Sequence, residues 1–230
     1  MIGVFDSGMG GENAVKHIRR FAPNSDIVLL TDRKNAPYGT KCRGELTALA
    51  EGGISRLLDE GCERVLIACC TASTVHSQIS PRLAEISIPI IEPTAKEAVR
   101  ISSSGDIALL ATDATVRSHA FREALGDACV LELAASPLVE AIERGERDGQ
   151  ISRALGEYLD ALLRPIASTR ADTLVLGCTH FVCLRAEIEN RLKKITNRKF
   201  YTVDSSEVGA RHMLKVYGAA RVGEGRLKRI

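Results

Sequence analysis

Short apolar runs rich in β-formers alternate with longer stretches of helical spacing along nearly the whole chain. The strand candidates are 2–5, 26–30, 64–68, 88–91, 107–111, 129–133, 173–176 and 200–203. Between them, Leu46, Leu49, Ile54, Leu57 and Leu58 recur at helical intervals, as do Leu155, Leu159, Leu162 and Leu163 within 151–166. Strands separated by helices of this length are parallel βα units, so the pattern predicts an α/β fold with helices covering the sheets.

The pattern also repeats. IGVFDSG from Ile2 echoes IALLATD from Ile107, and VLIACCTAS from Val65 echoes LVLGCTHF from Leu174. The offsets, 105 and 109 residues, nearly agree. Apolar strands resemble one another by chance, but here a cysteine with a threonine close behind it closes both members of the second pair. The expectation is two pseudo-symmetric, doubly wound α/β domains with mainly parallel sheets and an active site in the cleft between them. The expected division sets 1–92 plus 205–230, carrying Cys69, against 93–204, carrying Cys178.

In open parallel sheets, ligands bind beyond the C-terminal strand ends. Asp6, Cys69, Thr112 and Cys178 all fall there, so two facing units would bring Cys69 and Cys178 to one cleft. A cysteine removes a proton from carbon only as a thiolate. Its ordinary pKa of about 8.5 leaves little thiolate at neutral pH. Both cysteines stand where a helix should begin, and unpaired N–H groups there would favour the thiolate. The competing reading is a small buried apolar residue, the usual fate of a free cysteine.

Composition narrows the partners. Thirty-one basic against 29 acidic residues leave a net charge of +2, and Trp is absent. Neither suits a nucleic-acid surface built on charge and aromatic stacking. No apolar run approaches the roughly 20 residues that span a bilayer, so no membrane association is expected. The start of the chain lacks a basic n-region, so no signal peptide is expected. Seven cysteines, an odd number, read as free thiols in a reducing compartment, and the cytoplasm is the expected location. Gly8, Gly10 and Gly11 do not spell a phosphate-binding loop. Cys178, His180 and Cys183 form C-x-H-x-x-C, which lacks the paired spacing of zinc sites, and no metal is expected. The basic end, 221–230, is expected to be a loose tail.

Longer motifs resemble a known family. IGVFDSGMGG, APYGTK at 36–41, ACCTAS around Cys69, ATDATVRSHAF at 111–121, GCTHF at 177–181 and VDS before Ser206 are similar, in that order, to motifs of glutamate racemases in the aspartate/glutamate racemase family. The resemblance implies inversion at the α-carbon without cofactor or metal. One thiolate removes the α-proton while the opposite thiol protonates the other face. It implies Cys69 for the D-enantiomer and Cys178 for the L-enantiomer, with Asp6 beside the first thiol and His180 beside the second. Glu143 resembles a family glutamate near the second site. Asp6, Ser7, Tyr38, Gly39, Cys70, Thr71, Thr112, Thr115, Thr179 and His180 are the implied substrate-binding residues. Glutamate is the implied substrate, D-glutamate for peptidoglycan the implied product, and a homodimer the expected assembly.

Each residue has a structural alternative. Asp6 could be an N-cap, His180 a surface histidine, the hydroxyls turn or capping groups, and Glu143 part of a solvated helix face. The chain departs from the family at Cys70, where Asn is usual. A thiol hydrogen-bonds poorly, which puts substrate choice in question. Val182-Cys183-Leu184 also replaces the usual Pro-Leu-Leu, and Cys183 is expected only to pack. Aspartate or hydantoin racemases, related decarboxylases or isomerases, and a non-catalytic binding protein on this scaffold are the alternatives.

Overall fold

The computed structural model describes residues 1–218 and 223–230. Within them the strands are β1 (Ile2–Asp6), β2 (Ile27–Thr31), β3 (Arg64–Ile67), β4 (Ser87–Pro89), β5 (Ile107–Ala111), β6 (Cys129–Ala134), β7 (Thr173–Gly177), β8 (Tyr201–Asp204) and β9 (Leu227–Arg229). The helices are α1 (Gly11–Phe21), α2 (Arg43–Asp59), α3 (Cys70–Ser73), α4 (Pro81–Ile86), α5 (Ile91–Ile101), α6 (Asp113–Arg117), α7 (Ala120–Leu125), α8 (Ser136–Glu143), α9 (Arg153–Leu163), α10 (Arg185–Thr196) and α11 (Ser205–Tyr217).

Two sheets form, in the orders β4-β3-β1-β2-β9 and β6-β5-β7-β8, and every pairing within them is parallel. Read from the other edge, the first sheet is β9-β2-β1-β3-β4. Its last four strands match the second sheet when β1 is equated with β5 and β3 with β7. That is the correspondence the two sequence echoes predict, and it places Cys69 and Cys178 after equivalent strands.

Both sheets are buried on both faces, as parallel sheets require. Val4, Leu29, Leu66, Leu109 and Val175 enter one core that runs between the sheets, with α1, α5 and α11 contributing Ile18, Ala95 and Met213. Their strand neighbours point outward into separate cores. Phe5, Leu30 and Ile67 meet Leu46, Ile54 and Leu57 of α2, while Leu110 and Leu176 meet Leu138, Leu159 and Ile188. The order is helices, sheet, shared helices, sheet, helices. Because strands of both sheets face one helical layer, their C-terminal ends are held in a fixed relation.

Three expectations change. The strand at 88–91 is shorter, because Ile91 already opens α5. The helix within 151–166 ends at Leu163, and Pro165 falls in a 3-10 turn. The basic end is not a loose tail: Leu227–Arg229 pairs with β2, Arg229 reaches Glu12 at 2.7 Å, and Lys228 pairs with Glu60. An open edge of β2 and acids placed to meet the basic residues account for this ordering. Arg221, at the start of that stretch, lies outside the described residues.

Candidate active site

The strand ends converge on a cavity of about 340 Å³. Ser7 follows β1, Arg33 follows β2, Cys69 follows β3, Thr112 follows β5 and Cys178 follows β7, and all five line it. Tyr38, Gly39, Cys70, Thr71, Thr179, His180 and Glu143 complete the expected set on its wall. Asp6 and Thr115 are not on the wall. They are buried one step behind it, where each bonds to residues that are.

The two halves are stitched by polar contacts. Asp6 accepts from the Gly8 N–H at 2.7 Å and from the Thr179 hydroxyl at 3.1 Å. Asn13 of α1 donates to the Thr179 carbonyl at 3.0 Å. The hydroxyls of Thr71, Thr112 and Thr115 form a closed triangle with sides of 3.0, 3.1 and 2.9 Å. The three are buried, so each hydroxyl finds both a donor and an acceptor in this ring.

The glycines after β1 serve close approach. A Cβ on Gly10 would overlap the Thr179 side chain, and one on Gly8 would lie 2.9 Å from the His180 ring. Only a chain without side chains lets this loop lie against the second cysteine segment.

Each thiol has its own surroundings. Cys69 Sγ lies 3.3 Å from Ser7 Oγ and accepts from the Ala72 N–H at 3.4 Å. Cys178 Sγ lies 3.8 Å from His180 Nδ1, and His180 Nε2 lies 2.7 Å from Glu143 Oε1. A His180 ring that donates through Nε2 to Glu143 turns its other nitrogen, Nδ1, toward the thiol. Glu143, at the end of α8, stays exposed while one carboxylate oxygen meets the His180 ring.

The expectation that helix N-termini favour the thiolates does not hold. Burial pushes Cys69 up to about 11, assisted by the nearby Asp6 carboxylate, against weaker lowering by Ser7 and the Ala72 N–H. Burial pushes Cys178 up further, despite the N–H groups of His180 and Phe181. The helix after Cys69 is a single turn and the segment after Cys178 a 3-10 turn, so neither end offers enough to offset desolvation. Asp6 is raised by burial too, opposed by His180, Gly8 and Thr179.

Cys70 lines the cavity, but its thiol is already engaged. Its thiol donates to Ser205 Oγ at 3.4 Å, and Ser205 donates to the Leu176 carbonyl at 3.0 Å. The Tyr38 hydroxyl is also committed, donating to Asp32 at 2.7 Å. Arg33, Ser136, Val139 and Glu140 line the cavity without having been singled out from sequence. For Arg33 the signal existed, since it follows a parallel strand end.

Among the described residues, Cys178, His180 and Cys183 do not converge as ligands. The group that does is His17, Asp204 and Glu207, where Asp204 already caps α11 and pairs with His17. No helix of the described residues is long and apolar enough to cross a membrane.

Fold and cleft define a duplicated α/β protein with a cavity at the strand ends of its two sheets. A family model described as Asp/Glu/Hydantoin racemase matches residues 11–213. The glutamate racemase of Ralstonia pickettii is 35% identical over 223 residues, which are 95% of this chain and 77% of that protein. The glutamate racemase of Desulforudis audaxviator is 38% identical over 197 residues, 83% of this chain and 71% of that one. The crystal structure of glutamate racemase from Francisella tularensis in complex with D-glutamate superposes with a TM-score of 0.83 at 25% identity, covering 99% of this chain and 85% of that chain. The chain belongs to the Asp/Glu/Hydantoin racemase family.

Proposed function

We propose that this protein is a cofactor-independent glutamate racemase that inverts the α-carbon by proton transfer between Cys69 and Cys178. The observation that carries the reading is that two buried thiols, placed after equivalent strands of duplicated sheets, line one cavity. The similarity to glutamate racemases, one in complex with D-glutamate, supports the substrate.

With D-glutamate bound, Cys69 as thiolate takes the α-proton, and the electron pair passes into the α-carboxylate as an enediolate. The Cys178 thiol then gives its proton to the opposite face. Each turnover leaves the two sulfurs with exchanged protonation states, and the reverse direction runs the same steps from Cys178 on L-glutamate. His180 Nδ1, oriented by Glu143, accepts the proton of Cys178 when that thiol must act as base. Ser7 donates to the Cys69 thiolate, and Asp6 sets the field at both sulfurs. Ser7, Tyr38, Gly39, Thr71, Thr112 and Thr179 line the site as binding groups, with Thr115 holding two of them from behind.

The division into 1–92 plus 205–230 and 93–204 is proposed on the same grounds, since it assigns each sheet whole to one part. A homodimer, a cytoplasmic location and supply of D-glutamate to peptidoglycan follow as proposals from the family.

The test is incorporation of solvent deuterium at the α-carbon of D- and L-glutamate and of aspartate, without added cofactor. Exchange with glutamate, lost in Cys69→Ala and in Cys178→Ala, is the expected result. No exchange with any of the four overturns the reading, and full activity in either variant removes that cysteine as a base.

A further inference from the structure

We propose that Arg33 binds the distal carboxylate of the substrate and so selects for an acidic side chain. The inference deepens the glutamate-racemase reading and rests on it.

Among the described residues, Arg33 is the one Arg or Lys side chain on the wall of the cavity. It is exposed, and among the described residues no ion pair or side-chain hydrogen bond engages it. Glu12, on which Arg33 is the weakest of several influences, is held by Arg229 through both carboxylate oxygens. Its backbone is fixed, by contrast. Asp32, just before it, donates its N–H to the Asp6 carbonyl at 2.9 Å, and its carboxylate accepts from Tyr38 and Asn35. A pinned backbone with an unengaged guanidinium over a cavity is suited to receive a carboxylate.

The charge balance of the site calls for such a group. The wall carries two carboxylates, Glu140 and Glu143, with Asp6 buried behind them. Arg33 offsets that negative charge for a substrate bearing two carboxylates. Of the neutral groups on the wall, the Cys70 thiol is already engaged by Ser205 and the Tyr38 hydroxyl by Asp32. Position then decides which carboxylate it meets. The α-carbon must lie between the two buried thiols, which keeps the α-carboxylate deep. Exposed Arg33 can reach only the far end of the molecule.

Glutamate binding is measured by titration calorimetry, and racemisation kinetics alongside, on the wild type, Arg33→Gln and Arg33→Lys. The expected result is a Kd and KM for glutamate raised roughly 10- to 100-fold in Arg33→Gln, with kcat within about threefold of wild type, and partial recovery in Arg33→Lys. Because Arg33 is exposed and unpaired, all three proteins should unfold at the same temperature. If Arg33→Gln binds glutamate as tightly as wild type, or loses kcat without a change in KM, the proposal fails while the racemase reading stands. If wild type binds glutamate through Arg33 but shows no deuterium exchange, the racemase reading fails and the binding proposal stands. If wild type neither binds nor exchanges glutamate, both fall.

Discussion

Replacing Gly10 by alanine tests the close approach on which the active site depends. The new Cβ would occupy the space of the Thr179 hydroxyl and Cβ and come within 3.2 Å of the Thr179 backbone carbonyl carbon. A backbone contact cannot turn away as a flexible side chain can, so either the loop after β1 or the segment from Cys178 to His180 must move. Overpacking of this kind costs about 1–3 kcal/mol. Displacing Thr179 also breaks its bond to the buried Asp6, for about 1–3 kcal/mol more. The sum is about 2–6 kcal/mol, and each kcal/mol lowers Tm by roughly 2–4 °C in a chain of this size. Chemistry should suffer as well, since a shift near 1 Å in a reacting group can cost about 100-fold. Denaturant unfolding and deuterium exchange read the two effects. Gly44→Ala is the control: nothing lies within 4 Å of its Cβ position in α2, and it should stabilise the helix by up to about 1 kcal/mol. Adding Thr179→Gly should cost less in Gly10→Ala than in wild type. Wild-type stability and exchange in Gly10→Ala would falsify the argument.

Three further outcomes are expected. Glu143→Ala frees the His180 ring that faces Cys178 and should lower kcat by about 100-fold, the low end for acid–base groups; unchanged kcat and pH profile would remove Glu143 from the mechanism. Thr115→Val takes two sides from the buried hydroxyl triangle and should cost about 1–3 kcal/mol in urea unfolding; no loss would mean the ring does not bind the halves together. Cys69 is raised in the folded state, so above pH 9 the unfolded chain releases this proton first and stability falls as pH rises toward about 11. Cys69→Ala should flatten that part of the stability–pH curve, and an unaltered slope would show that the thiol is not held protonated.

What could be read from sequence was decided by burial. The strands β1, β3, β5 and β7 are apolar on both faces, so they stand out as continuous runs, and the residues after them are placed by rule. Edge strand β9 could not be read: Leu-Lys-Arg is short and mostly charged. Its pairing depends on the free edge of β2 and on Glu12 and Glu60, all distant in sequence. Glu143 lies 37 positions from His180, and nothing in VEAIERGE distinguishes a carboxylate facing a histidine from one facing water. Thr115 was legible as a candidate but not as part of a ring, because the ring needs Thr71 from the other sheet. Helix N-termini fail to favour the thiolates for a countable reason. One or two N–H groups meet each sulfur, while the burial of both is nearly complete.

That failure points to the substrate as the missing charge. A thiol at about 11 stands about four pH units above neutrality, which corresponds to about 5 kcal/mol against the thiolate. An ammonium about 4 Å from the sulfur, at an effective dielectric constant near 20, contributes about 4 kcal/mol in its favour. The α-ammonium of the amino acid is therefore of the size needed to generate the base. Glutarate, which keeps both carboxylates and lacks the amine, separates the two roles. It should bind with an affinity that depends on Arg33 yet leave the ultraviolet thiolate absorbance of the protein unchanged. Glutamate should raise that absorbance at neutral pH, and in Cys69→Ala the rise should shrink. An equal rise with glutarate would show that the ammonium is not what ionises the thiols, and would move the search for the activating charge back to the protein.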